Sequence, residues 1–225
     1  MSTLMLRDVT LERGKRTLLS GVNFDAEPGD LIALRGSSGS GKTTILRAIA
    51  GLDPFPSGTI QVGDARLEGT HRADRATLQR LRRGVGLVFQ FHCLFEHMSA
   101  LQNVCLAPVH VHGMSQQAAM LKGRELLMLL GVDSRADAWP RELSGGEAQR
   151  VAIARALAVD PPVLLMDEPM ASLDPSRRAE LGGLLRSLTA SGRTLLVTTH
   201  DERFAEEFAT RVLTIDGGTV RESGT

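Results

Sequence analysis

Gly36-Ser37-Ser38-Gly39-Ser40-Gly41-Lys42-Thr43 decides how this chain is read. It has the spacing G-x-x-x-x-G-K-[ST]. An apolar run, Leu31-Ile32-Ala33-Leu34, precedes it. Thr44-Ile45-Leu46-Arg47-Ala48-Ile49-Ala50 follows, with apolar residues at helical spacing. The glycines therefore stand between a predicted buried strand and a predicted helix, the context in which this motif binds phosphate. Glycines let the backbone curl so that its N–H groups converge as an anion nest. The helix start adds unpaired N–H groups and a positive dipole end. Lys42 brings a full charge to β- and γ-phosphates, and the Thr43 hydroxyl is placed to ligate Mg²⁺. A flexible Gly/Ser linker would not run into Lys-Thr and an apolar helix.

Composition narrows the class. The chain has 225 residues, 42% of them hydrophobic, enough for one large domain or a domain with a subdomain. Lys+Arg and Asp+Glu are both 26, so the formal net charge is zero, and no nucleic-acid partner is expected. No apolar run approaches the roughly 20 residues that span a bilayer. The first residues, Met1 to Asp8, lack the pattern of a secretion signal. Two cysteines, Cys93 and Cys105, do not make a disulfide framework, and a reducing cytosol is expected. His110-Val111-His112 has no supporting cysteine or carboxylate set and is a poor metal site. There is no tyrosine.

Strands are expected at Leu4 to Val9 and Val22 to Ala26, around a polar turn Glu12-Arg13-Gly14-Lys15. A hairpin is expected at Thr59 to Val62 and Ala65 to Leu67. Residues 70 to 84 are basic, with Leu78 and Leu81 as anchors, and read as a solvated helix face. Val85 to Phe89 is a buried strand ending at Gln90. From Phe91 to about Glu142 strand signals vanish and apolar residues recur at helical spacing, which reads as a helical insertion. Its first stretch, Phe91 to Val104, is apolar and irregular. Val163 to Met166 is a continuous apolar strand, as in a parallel sheet covered on both faces. A helix over about 176–190, a strand at Thr194 to Thr198 and a closing hairpin around Gly217-Gly218 complete the pattern.

Two further stretches carry chemistry. Asp167-Glu168 ends the apolar strand: one acid can face Mg²⁺ and the next can polarise an attacking water. Leu143-Ser144-Gly145-Gly146-Glu147 opens a helix, either as a second anion site or as a capping box of Ser144 and Glu147. Both readings can hold together.

With Gln90, Ser172-Leu173-Asp174 and His200, these motifs cover essentially the whole chain and resemble the ATP-binding-cassette ATPases. The resemblance implies an α/β fold: a phosphate-loop core with a mainly parallel sheet, an N-terminal antiparallel β subdomain and an α-helical insertion. It implies one cassette over 1–225, the core and β subdomain taking about 1–90 and 143–225 and the helical subdomain about 91–142. ATP and Mg²⁺ are the implied ligands. Gly36, Ser37, Ser38, Gly39, Ser40, Gly41, Lys42, Thr43 and Thr44 would hold the phosphates, and Thr43, Gln90 and Asp167 the metal. Glu168, His200 and Gln90 would be catalytic. A head-to-tail dimer, homo- or pseudo-dimeric, would bring Ser144, Gly145, Gly146, Glu147 and Asp174 of one copy to the ATP of the other.

The family usually stacks an aromatic residue on adenine near the chain start. Here that place holds Arg13, whose guanidinium can stack on a base. Met170 and Glu147 stand where Thr/Ser and Gln are commoner.

Having no membrane span, such an ATPase works with transmembrane permease subunits, at the cytoplasmic face of the membrane, with a solute-binding protein reached through the permease. Phe91, Phe95 and Met98 suggest a groove for a partner helix. Phe91 to Val104, with Leu106-Ala107-Pro108-Val109, resembles the ATPase subunits of polar amino-acid importers. Lipoprotein-release, export or cell-division complexes, and a soluble cassette ATPase unlinked to transport, are the alternatives.

Overall fold

A computed structural model describes residues 3–69, 71, 73–171 and 173–223. Arg72 of the basic stretch and Ser172 beside Asp174 lie outside the described residues. Four strands, β1 (Leu4–Arg13), β2 (Arg16–Ala26), β4 (Ser57–Val62) and β5 (Ala65–Glu68), form an antiparallel sheet in the order β2-β1-β4-β5. A second, six-stranded sheet has the order β10-β9-β3-β8-β7-β6. Its strands are β3 (Leu31–Gly36), β6 (Val85–Val88), β7 (Val163–Asp167), β8 (Thr194–Thr198), β9 (Arg211–Asp216) and β10 (Thr219–Ser223). All its pairings are parallel except the edge hairpin β9–β10.

Side-chain alternation explains the unbroken apolar runs within the central strands. Ile32, Leu34, Val163, Leu165 and Leu196 face one core, shared with the antiparallel sheet and helix α1 (Lys42–Ile49). Leu31, Leu164, Met166, Leu195 and Val197 face the other. That second core is closed by α3 (Ala100–His110), α4 (Gln116–Leu129), α5 (Gly145–Leu157) and α6 (Pro175–Ala190). With period 2 and both faces covered, every residue of β7 and β8 is buried.

Three elements differ from the sequence expectation. The first hairpin is longer. Glu12 and Arg13 stay in β1, and only Gly14-Lys15 turns, with Gly14 at φ 65°. Pairing continues through register shifts until Arg13 lies opposite Arg16. The stretch after Gln90 is irregular only as far as Ser99. There a capping box with Gln102 starts α3 inside the segment read as irregular. Finally α7 (Glu202–Phe208), capped by Asp201, was not anticipated; seven residues give too little periodicity to be read.

Helix α2 (Arg75–Gly84) anchors on Leu81, fully buried, and Leu78, partly buried. Its outer face is not merely solvated: Arg75, Arg82 and Arg83 rim a groove of about 1010 Å³. Phe95, Cys93, Leu106, Val111 and Arg155 line the same groove. Of the three residues expected to form a groove, Phe95 lines this one; Phe91, 81% exposed, does not, and Met98 lines a separate hollow beside α3.

Candidate active site

The strand β3 delivers the chain into Gly36–Gly41, and α1 begins at Lys42. Gly39 and Gly41 take φ values of 77° and 110°, open to glycine and costly for other residues. A Cβ on Gly36 would stand 2.6 Å from Ser40 Oγ, so the loop closes on itself only without a side chain there. Helix α1 has no side-chain cap. Each of α2 to α7 is capped by an Asp or Ser: Asp74, Ser99, Ser115, Ser144, Asp174 and Asp201. The first-turn N–H groups of α1 thus face the cleft unclaimed by any cap.

Lys42, 7% exposed, folds back over the loop and donates to Gly36 O at 2.8 Å and Ser37 O at 3.2 Å. Its Nζ lies 3.1 Å from His200 Nε2 and 3.6 Å from Glu168 Oε1. His200 Nε2 stands 3.0 Å from that same Glu168 oxygen. The three charged or titratable groups therefore converge from the loop, the end of β7 and the end of β8.

Asp167 is fixed from both sides. Thr43 Oγ1 donates to its Oδ2 at 2.8 Å, and Thr198 Oγ1 donates to its Oδ1 at 2.7 Å. Glu168 turns the other way because its φ is 48°, a left-handed conformation unusual for a side chain with Cβ. Its N–H donates to Thr198 O at 3.2 Å and Thr198 Oγ1 at 2.9 Å, which secures the turn. Thr198 thereby sets the direction of both carboxylates.

These residues line a cleft of about 500 Å³ with Arg13, Arg16, Leu18, Ser38, Gly39, Gly41, Thr44, Gln90 and Ala171. Among the described residues Ser40 Oγ is buried without a hydrogen-bond partner, and Glu168 Oε1 has only the ionic neighbours His200 Nε2 and Lys42 Nζ. Both are suited to a polar ligand, and the oxygen donors Thr43 and Asp167 suit a hard cation such as Mg²⁺. The residues present thus fit a nucleotide triphosphate with its metal.

The structure gathers Gln90, Glu168, His200, Lys42, Thr43, Asp167 and Arg13 around one cleft. It does not bring Ser144, Gly145, Gly146, Glu147 or Asp174 there. Ser144 caps α5, accepting from Glu147 N at 3.3 Å while Glu147 Oε2 accepts from Ser144 N at 2.7 Å. The backbone donor holds the Glu147 carboxyl below the usual carboxylate range, and Arg135, 3.2 Å away, and Arg177 add to this. Asp174 caps α6 and pairs with Arg177, whose guanidinium also overhangs Gly146. The Ser144–Glu147 turn and Asp174 thus form a second, separate surface.

Sequence reasoning missed Thr198, Arg16, Leu18 and Ala171. Thr198 carried no motif signal, though a hydroxyl two residues before His200 on a parallel strand sits at the depth of Asp167 in the neighbouring strand.

The family profile described as ABC transporter matches residues 19–171. The chain is 42% identical to the arginine/ornithine transport ATP-binding protein AotP of Pseudomonas aeruginosa, over 100% of this chain and 91% of that protein. It is 40% identical to the glutamine transport ATP-binding protein GlnQ of Escherichia coli, covering 97% and 89%. The dimeric structure of MJ0796, a bacterial ABC transporter cassette, superposes with a TM-score of 0.87 at 34% identity, covering 98% of this chain and 97% of that one. A dimeric post-hydrolysis state of MJ0796 bound to ADP and Pi superposes equally well, at 33% identity.

Proposed function

The chain belongs to the ABC transporter family, and from that premise we propose that it is the ATP-hydrolysing subunit of an importer of polar amino acids. The observation that carries the chemistry is the convergence of Lys42, Glu168 and His200 within 3.0 to 3.6 Å beside an uncapped helix start. The names of the relatives, transporters of arginine/ornithine and glutamine, support the substrate class.

In this reading the α1 N–H groups and Lys42 bind the β- and γ-phosphates, and Arg13 stacks on adenine. Thr43 and Asp167, with Gln90 lining the same cleft, would hold Mg²⁺, which when bound would supply neutralisation of phosphate charge. Glu168 accepts a hydrogen bond from the attacking water, and His200 keeps that carboxylate oriented at 3.0 Å. Ser144 to Glu147 and Asp174 belong to a second copy's ATP, since within one chain they form a separate surface. Residues 91–142 act as the lobe that meets the permease.

Among the described residues no helix is long and apolar enough to cross a membrane. Transmembrane permease subunits would dock their cytoplasmic helices in the groove between α2, Phe95 and Arg155, placing the chain on the cytoplasmic face. A solute-binding protein would act through that permease.

The test is ATP hydrolysis by the chain alone and reconstituted with candidate permease subunits, in vesicles holding ATP inside and given labelled arginine or glutamine outside. Hydrolysis that depends on the permease, with uptake of a polar amino acid, is expected. Uptake without ATP turnover, or turnover with no permease association, would contradict the reading.

A further inference from the structure

The backbone behind Gln90 is held by one side chain from another element. His92 and Cys93 are consecutive non-glycine residues with φ of 58° and 49°, both left-handed. Single residues visit this region at a cost, and runs of side-chain-bearing residues do so only when the surroundings impose it. Here the imposing group is Arg155 of α5. Its Nη1 donates to Cys93 O at 2.7 Å and its Nη2 to His92 O at 2.9 Å, one guanidinium spanning the two strained carbonyls. The same guanidinium lies 5.9 Å from the centroid of the Phe95 ring. The turn is tight throughout: Cys93 N donates to Phe91 O at 2.5 Å and His92 N to Phe89 O at 3.1 Å.

Arg155 stands between the groove and the segment that leads into the cleft. Arg155 lines the groove of about 1010 Å³ together with Cys93 and Phe95. Its carbonyl partners lie two and three residues after Gln90, which lines the nucleotide cleft. Its helix, α5, starts at Gly145 behind Ser144. We propose that Arg155 is a positioning residue for ATP hydrolysis: it holds the left-handed turn behind Gln90 and thereby fixes the placement of Gln90 in the cleft. This rests on the proposed ATPase reading of the cleft. The planar fork of arginine gives each carbonyl its own nitrogen in a fixed geometry, whereas a lysine would have to serve both from one freely rotating ammonium. Removing the guanidinium releases both carbonyls, and the turn relaxes toward ordinary φ.

The experiment compares wild type, Arg155→Ala, Arg155→Lys, and Arg155→Ala combined with His92→Gly and Cys93→Gly, in the full chain. Steady-state ATP hydrolysis is read as kcat and KM separately, alongside thermal melting. Arg155→Ala and Arg155→Lys should lower kcat about tenfold while the ATP KM moves less than about twofold, the signature of lost positioning. Glycine occupies the left-handed region freely, so the triple variant should recover kcat to within roughly threefold of wild type. A merely structural arginine would lower the melting temperature without this recovery. If Arg155→Ala does not fold, the lysine variant carries the test. Wild-type kcat in a folded Arg155→Lys, or no recovery in a folded triple variant, overturns the proposal. Absence of ATP turnover in the wild type would instead remove the ATPase reading beneath it.

Discussion

Thr43 Oγ1 donates to Asp167 Oδ2 at 2.8 Å, joining the phosphate loop to the end of β7 across 124 residues of sequence. The bond places a hydroxyl and a carboxylate as adjacent oxygen ligands before any metal arrives. Its far side is held by Thr198, whose hydroxyl also receives the Glu168 N–H.

Thr198 should therefore matter as much as a motif residue. Thr198→Val keeps the shape and removes the hydroxyl, leaving buried Asp167 short of a donor. An unpaired buried polar group costs about 1–3 kcal/mol. For a chain of this size that corresponds to a fall in Tm of roughly 2–10 °C. The Mg²⁺ concentration for half-maximal hydrolysis should also rise. A scanning calorimetry trace and Mg²⁺ titration matching wild type would refute the role.

Arg13 and Arg16 face each other across the first turn and both line the cleft. If Arg13 stacks on the base, Arg13→Ala should weaken ATP binding roughly 5- to 30-fold, about the 1–2 kcal/mol of a desolvated cation–π contact. Affinity for tripolyphosphate, which has no base, should change little. Equal losses for both ligands in isothermal titration would mean that the arginine serves phosphate instead, and no loss for either would remove it from the site.

The capping box at Glu147 has a pH signature. Its carboxyl is held below the ordinary value, first by the Ser144 N–H and then by Arg135 and Arg177. A depressed carboxyl contributes stability that is present above its unfolded pKa, near 4.3, and disappears as pH falls through the lower folded value. Glu147→Gln should melt below wild type at pH 7, and the gap should close as pH drops below about 4. A gap that stays constant from pH 7 to pH 3 would show that the charge of Glu147 is not what stabilises the turn.

Much of this architecture is written locally. The phosphate loop is legible because glycine spacing, Lys42 and a following helix are required by the same backbone geometry. The strands β7 and β8 are legible because burial on both faces leaves Val163 to Met166 and Leu195 to Val197 without a polar residue. Less legible is whatever depends on register between distant strands. Thr198 is an ordinary strand residue until β7 and β8 pair and bring it opposite Asp167. Arg155 sits inside a helix whose apolar pattern reads as core, and its role appears only when α5 packs beneath His92 and Cys93. Arg13 looked like part of a polar turn; the extension of β1 by pairing with β2 carries it over the cleft. Helix α7 is too short for periodicity to declare it.

The central claim is that one chain holds half of each ATP site and that Glu168 drives turnover. The direct measurement is size-exclusion chromatography of Glu168→Gln with ATP and Mg²⁺, with ADP release followed in the same sample. Glutamine keeps the shape but cannot act as base, so hydrolysis should fall roughly 10²–10⁴-fold. ATP should then hold two copies together, and Ser144→Arg at the start of α5 should abolish that dimer. A Glu168→Gln variant that hydrolyses ATP at the wild-type rate, or that stays monomeric with ATP bound, would contradict the account.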